Sequence, residues 1–318
     1  MQLGFNLPIS GPTSGARSFA RLAQEGEAMG YDYLTLTDHV VLPDVSVPGY
    51  PYSESGEFMS NTPTERHELL TATAFIAAKT SRIRLVLAVL VVPHRPAVLA
   101  AKMLSTIDVL SEGRLVVGIG AGWLKAEFDA VVTTPFAERG AVTDEYLEAF
   151  RALWTQEHAK FEGRYAKFSD LIFLPRPVQQ PHPPITIGGS GEKIMLKLVA
   201  RFADRWNCPA GYESFEHKFN VLKQHCKDVG RDVNTIDISE QLLVCIGQSD
   251  AEVEAKWKAA QMLKPFVTTG IKGTPKQLIE ELKKRVAMGI TTFTIFFSDF
   301  APPPTLELFA KEVMPAFA

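Results

Sequence analysis

The chain has 318 residues, 46% hydrophobic and 22% charged, a composition that excludes disorder as its main state and supplies a large core. Thirty-three Lys and Arg against 36 Asp and Glu leave a net charge of −3, and with no basic block nucleic-acid binding is not expected. Cys208, Cys226 and Cys245 form no CxxC pair, so neither a disulfide framework nor a metal site is expected. The N-terminus carries no basic, apolar leader, and the longest apolar stretch, 85–93, is too short to span a bilayer. A cytoplasmic protein without membrane contact is the expectation.

In chain order, residues 3–7 read as the first strand. Phe19, Leu22, Ala23 and Met29 form a helical stripe over 18–29, and Gly30 stops it. A second strand covers 33–37. Helices at 66–80 and 96–110 bracket a third strand within 83–92. A fourth strand spans 115–119, and a helix runs over 136–154. Phe161 to Phe168 reads as a small hairpin or an extended insertion. Strands follow at 185–187, opening into a helix over 192–202, and at 205–207. A helix over 215–229 leads to a strand within 236–246. Thr274-Pro275 is an N-cap and N1 pair that opens a helix to 288. A strand at 292–297 and a helix at 305–313 close the chain.

Eight strands, each followed by helical material, is the count of a (β/α)8 TIM barrel, α/β in class, with insertions after several strands. Residues 28–36 and 287–295 echo each other as helix end, glycine stop and strand. No Pro-, Gly- or Ser-rich run looks like a linker, so residues 1–318 read as a single domain. An open doubly wound sheet is the competing architecture. Residues 40–65, rich in Pro, Gly, Ser and Tyr, leave the C-terminal end of a barrel strand as an insertion loop. There they are either a substrate-lining lid or a surface excursion.

Three constellations could carry chemistry. Asp38-His39 follows the second strand and places a carboxylate and an imidazole at the barrel mouth, where a histidine can exchange protons near neutral pH. A loop-start Asp and a structural His are the bland alternative. Gly118-Ile119-Gly120-Ala121-Gly122-Trp123 follows the fourth strand, and its glycines allow close backbone approach to a ligand or simply make a turn. It lacks the G-x-G-x-x-G spacing of a dinucleotide fingerprint. Gly188-Gly189-Ser190-Gly191-Glu192 joins a strand to a helix N-terminus, a cradle suited to phosphate, against ordinary Ser capping. His67, His94 and His182 offer further imidazoles without metal-site spacing.

Together these residues resemble the bacterial luciferase-like monooxygenase superfamily, especially its branch using coenzyme F420, a deazaflavin. The resemblance runs from residue 3 to about 206 and resumes at Gly273-Thr274-Pro275. Its most specific block is Arg114 to Trp123, then Glu127-Phe128 and Pro135-Phe136-Ala137-Glu138-Arg139-Gly140. Tyr33-Leu34 through Asp38-His39, Val91 to Pro96 and Pro184 to Gly189 agree as well.

The resemblance implies a TIM barrel with the cofactor ring at its C-terminal mouth and a non-prolyl cis peptide at Ala88-Val89 against the ring. It implies a proton-transfer role for His39 with Asp38 beside it, and ring contact for Asn6. It implies cofactor contacts from Gly120, Ala121 and Gly122, and phosphate contacts from Gly188, Gly189, Ser190 and Gly191. Arg139 is expected to form an internal, helix-anchoring ion pair.

The expected function is an oxidoreductase that passes hydride between F420 and a small, apolar organic substrate. An FMN-dependent monooxygenase using reduced FMN and O2 is the alternative, and a non-enzymatic flavin-binding protein is a third reading from another class. The resemblance also implies a homodimer paired through the helices at 66–80 and 96–110, where Leu69, Leu70, Ala72, Ala74, Phe75, Ile76, Ala97, Val98, Ala100, Ala101 and Met103 are an apolar surplus, against simple packing of these faces on the barrel.

Overall fold

A computed structural model describes residues 1–11, 13–43, 47–48, 57–58, 66–208, 212–260 and 270–317. These residues divide into two compact units: 1–36, 43–67 and 237–318 in the first, 37–42 and 68–236 in the second. Most of the 40–65 insertion, and with it the question of a lid, lies outside the described residues. Its described part includes a short antiparallel pair, Val47–Pro48 and Glu57–Phe58.

In the first unit β1 (Gln2–Asn6) leads into α1 (Ala16–Ala28) and β2 (Tyr33–Leu36). The helix forms because Phe19, Leu22, Ala23 and Gly26 fall on one face, which is buried. It ends at Gly30, which adopts φ +91°. The pair at 47–48 and 57–58 is numbered β3 and β4.

The second unit contributes α2 (Leu69–Ala77), β5 (Arg84–Leu87), β6 (Leu90–Val91), α3 (Ala97–Leu110), β7 (Leu115–Gly120), α4 (Lys125–Val131) and α5 (Arg139–Thr155). Next come the hairpin β8 (Ala159–Glu162) and β9 (Lys167–Leu171), then β10 (Ile185–Gly188), α6 (Met195–Phe202), β11 (Arg205–Asn207) and α7 (Tyr212–Asp228). The chain returns to the first unit with β12 (Asp237–Ile246), α8 (Asp250–Ala259), β13 (Ile271–Gly273), α9 (Pro275–Ala287), β14 (Thr292–Phe297) and α10 (Pro303–Glu312).

Parallel strands in the first unit run β12-β14-β1-β2, and in the second β11-β10-β7-β5. Four strands in each make the eight of a (β/α)8 barrel, and the doubly wound alternative is not the fold. Phe5, Ile295 and Phe297 belong to the buried core, with Phe297 against Phe309 of α10. On the opposite face of β1, the Tyr33 ring lies over Gly4, where any Cβ would collide with it. The Tyr33 hydroxyl meets Thr294 Oγ1 at 2.9 Å.

The Thr274 cap is present, with the Gln277 side chain completing a capping box. Several elements differ from expectation, two of them close to the site. The helix after β10 begins at Met195, not at 192, because no side chain caps it and residues 192–194 form a turn. Helix α4 has no counterpart in the sequence reading: seven residues with two buried positions, Glu127 and Phe128, give too little periodicity to find. The three cysteines are buried and no disulfide joins them.

Candidate active site

The third barrel strand is broken into β5 and β6, and both pair with β7. Val86 faces Val116 and Leu90 faces Ile119, so four steps on one strand match three on the other. The extra residue makes a bulge. It contains the cis peptide Ala88-Val89, at the position that the family resemblance implied.

The glycines of β7 are shaped to this bulge. A Cβ on Gly120 would collide with Val89 Cγ2, and one on Gly118 with the Leu87 carbonyl oxygen. A Cβ on Gly188 would stand 3.4 Å from Val89 Cγ1. The bulge, the Gly120-Ala121-Gly122 turn and the end of β10 therefore meet at Val89. Ala88 and Val89 keep partial exposure there. Arg139 secures the turn by donating from Nε to the Gly122 carbonyl at 3.0 Å and from Nη1 to the Phe136 carbonyl at 3.1 Å. Its guanidinium lies 4.0 Å from the Phe136 ring centroid. The expected ion pair is thus replaced by carbonyl contacts and stacking.

Asp38 and His39 leave β2 side by side in sequence but serve different partners. The Asp38 carboxylate is buried and accepts from Arg95 Nη1 at 2.7 Å, Arg95 Nη2 at 2.9 Å and the Val91 N–H at 3.0 Å. Arg95 Nη2 also reaches Glu68 Oε1 at 2.5 Å, and Glu68 caps α2 through the Thr71 N–H. Burial alone would lower the Arg95 value, but hydrogen bonds and charge from Asp38 and Glu68 outweigh it and hold Arg95 above its ordinary range. Asp38 is a positioning residue: it fastens the start of the 38–42 segment to the strand just beyond the bulge.

His39 donates from Nδ1 to Glu127 Oε2 at 2.9 Å. The other oxygen, Oε1, accepts the Val40 N–H at 2.5 Å and the Val41 N–H at 3.3 Å. Burial pushes the Glu127 carboxyl up, but the hydrogen bond and charge of His39, the Val40 N–H and the charge of His94 together bring it below the usual range. A carboxylate fixed on Nδ1–H sets the imidazole tautomer and leaves Nε2 as a bare lone pair. The Trp123 ring stands edge-on to His39, with centroids 6.4 Å apart. Glu127 is the functional residue that sequence reasoning missed. An acidic residue in the first turn of a helix carries no local sign that it reaches a histidine 88 positions away.

The Gly188 to Gly191 turn fits a bound phosphate. Gly189, at φ +116°, donates to the Asn207 carbonyl at 3.3 Å, and its own carbonyl accepts from Trp206 Nε1 at 2.9 Å. Among the described residues, no hydrogen bond engages the N–H of Ser190 or Gly191 or the Ser190 hydroxyl. A Cβ on Gly191 would touch only Met195, at 3.6 Å, so this face of the turn is open. Glu192 ties the turn to α7 through Lys218 Nζ at 2.6 Å and His217 Nε2 at 2.9 Å, and its carbonyl accepts from His225 Nε2 at 2.8 Å.

Asn6 stands in the first unit at the end of β1, in register with Thr35. It is buried, and its Oδ1 has no partner. Among the described residues no cluster of three or more His, Cys, Asp or Glu could hold a metal ion.

The sequence profile of the luciferase-like monooxygenases matches residues 1–268. The chain belongs to the luciferase-like monooxygenase family. An uncharacterized protein of Mycobacterium tuberculosis is 34% identical over 216 residues, covering 67% of this chain and 75% of its own length. The FMNH2-dependent dimethylsulfone monooxygenase of Pseudomonas putida is 28% identical over 291 residues, covering 79% of this chain and 78% of its own. Among solved structures, an F420-dependent secondary alcohol dehydrogenase in complex with an F420-acetone adduct superimposes with a TM-score of 0.78 at 16% identity, covering 100% and 99% of the two chains. That likeness establishes the shared barrel fold. As a family member the protein is a luciferase-like oxidoreductase or monooxygenase.

Proposed function

We propose that this luciferase-like protein moves hydride between coenzyme F420 and a small, apolar organic substrate. The observation that carries the reading is the His39–Glu127 pair, a histidine with one nitrogen fixed and one kept for proton exchange. Bound F420 supplies or accepts the hydride; the chain supplies orientation and handles the proton. With a carbonyl substrate, His39 would deliver the proton to the carbonyl oxygen while the carbonyl carbon takes up the hydride that F420 would supply, giving an alcohol. In the reverse direction His39 removes that proton. The open Ser190-Gly191 turn holds the cofactor phosphate, and Gly120, Ala121, Gly122, Ala88 and Val89 form the bed for its ring. The solved F420-dependent dehydrogenase of the same fold supports this assignment.

The second reading, an FMN-dependent monooxygenase, draws on the Pseudomonas putida relative, whose match spans most of both chains. A purely flavin-binding protein would have no use for a buried carboxylate tuned to a histidine. Titration of the purified protein by fluorescence quenching distinguishes the first two. The expected result is F420 binding at least tenfold tighter than FMN, ~1.4 kcal/mol, with no O2 consumption. Equal or inverted affinities, with O2 uptake in the presence of reduced FMN, establish the monooxygenase. Residues 1–318 act in this proposal as one barrel domain in a cytoplasmic homodimer. Among the described residues no helix is long and apolar enough to cross a membrane.

A further inference from the structure

Resting on the functional reading above, we infer that His94 is a neutral hydrogen-bond donor that presents Nε2–H to an oxygen atom of the bound cofactor or substrate. His94 ends the 3-10 turn Val92–His94, directly after β6 and its bulge. It is more than nine-tenths buried. Of its two ring nitrogens, only Nδ1 is fully covered, and that atom has no hydrogen-bond partner. A covered N–H without an acceptor is rarer in folded proteins than a covered acceptor without a donor. The proton therefore belongs on Nε2, and the covered Nδ1 is a bare lone pair.

The charge state follows from the surroundings. The Phe128 ring packs beside the imidazole, with centroids 6.2 Å apart. Burial lowers the His94 pKa; the carboxylates of Asp38 and Glu127 act against it, while the charges of Arg95 and His39 add to the lowering. The net direction is downward, so near pH 7 the ring is neutral. The site thus holds two imidazoles with different tasks. His39, fixed on a carboxylate, exchanges protons. His94, without a carboxylate on it, keeps its proton and polarises an oxygen, as a neutral imidazole can when charge develops on a ligand. No bond to His94 forms or breaks.

Nitrogen-15 NMR of the histidine side chains in ligand-free protein, assigned with His94→Phe, reads tautomer and charge directly. The expected state is neutral with the proton on Nε2 from pH 8 down to pH 6. A proton on Nδ1, or a charged ring at pH 7, overturns the inference. Titration with F420 and with FMN, then with acetone on the cofactor-loaded protein, identifies the oxygen. A His94 Nε2 shift on cofactor addition assigns a cofactor oxygen, and a shift only on acetone addition assigns the substrate's. Saturation with all three probes and no shift overturns the proposal.

His94→Phe should weaken binding of the responding probe at least tenfold and leave the Tm of the ligand-free protein equal or higher. His94→Gln, which restores a donor near Nε2, should recover part of the affinity. A lowered Tm with unchanged affinities would make His94 a packing residue. If neither F420 nor FMN binds, the functional reading fails, and the tautomer measurement still decides the state of His94 on its own.

Discussion

At the scale of single residues, adjacent positions with similar chemistry have been given opposite work. Asp38 is spent on Arg95 and the Val91 N–H, while His39 is held on Nδ1 by Glu127, which in the proposed function leaves Nε2 for proton exchange. His39→Ala should lower turnover 10²–10⁴-fold while retaining cofactor, the range for loss of a general acid–base. Asp38→Asn should instead destabilise the fold by about 3 kcal/mol, because Arg95 would lose its buried carboxylate partner and keep only the more exposed Glu68. Steady-state turnover at saturating cofactor and urea unfolding of both variants check the contrast. A His39→Ala enzyme with normal turnover removes the proton-transfer assignment.

Glu240 makes a separate claim at this scale. Burial pushes its carboxyl up to about 7, against the pull of Arg285, whose Nε lies 3.1 Å away. A raised value means that the folded state binds this proton more tightly than the unfolded chain. The stabilisation is fully present below the ordinary carboxylate pKa and is lost as pH rises through about 7. Relative to Glu240→Gln, the wild type should lose about 2–3 kcal/mol between pH 5 and pH 8. Chemical denaturation at both pH values measures it.

At the scale of elements, the glycines divide into those that serve the fold and those that serve a ligand. Gly120→Ala should cost about 1–3 kcal/mol by driving a methyl group into Val89. Gly191→Leu should leave stability within about 0.5 kcal/mol, since the site around its Cβ is open, yet raise the cofactor dissociation constant about tenfold. Gly189 cannot make this distinction, because any side chain at φ +116° strains the backbone by itself. Thermal unfolding and cofactor titration of the first two variants separate the roles.

The same division explains what the sequence disclosed. The strand Thr292–Phe297 was legible to the residue, because a short apolar run after the Gly289 stop has few other readings. The bulge was placed through the family motif alone, since Ala-Val carries no local mark of it. Helix α8 escaped because its charges surround it and only Val253 is buried. Within the site, Asp38 and His39 were visible as types, and the resemblance implied a proton-transfer role for His39, but their partners were not visible. Partners at Arg95 and Glu127 are set by tertiary packing, which no local spacing encodes.

At the scale of the whole molecule, part of the apolar surplus on α2 and α3 is consumed internally. Leu69, Leu70, Ala72, Ile76, Ala97, Ala100 and Ala101 are buried, whereas Phe75, Val98 and Leu99 remain exposed. The segment after β9 lies along α3, with the Val178 N–H on Asp108 Oδ2 at 2.8 Å, and adds exposed Ile172, Leu174 and Val178. Water-facing side chains of this kind are candidates for cover by a second copy. The expected species is a homodimer that Leu99→Glu converts to monomer. Sedimentation at micromolar concentration decides it: wild-type protein running only at the 35.1 kDa of one chain would dismiss the dimer.

One carboxylate also draws a border in the chain. Because Glu127 grips the main-chain N–H groups of Val40 and Val41 as well as the imidazole of His39, the backbone is clamped just where the long insertion begins. Changes beyond that clamp need not be transmitted back to the histidine. The segment 44–65 is therefore the natural seam for recombination: a foreign connection of different length spliced in there should leave the His39–Glu127 pair intact.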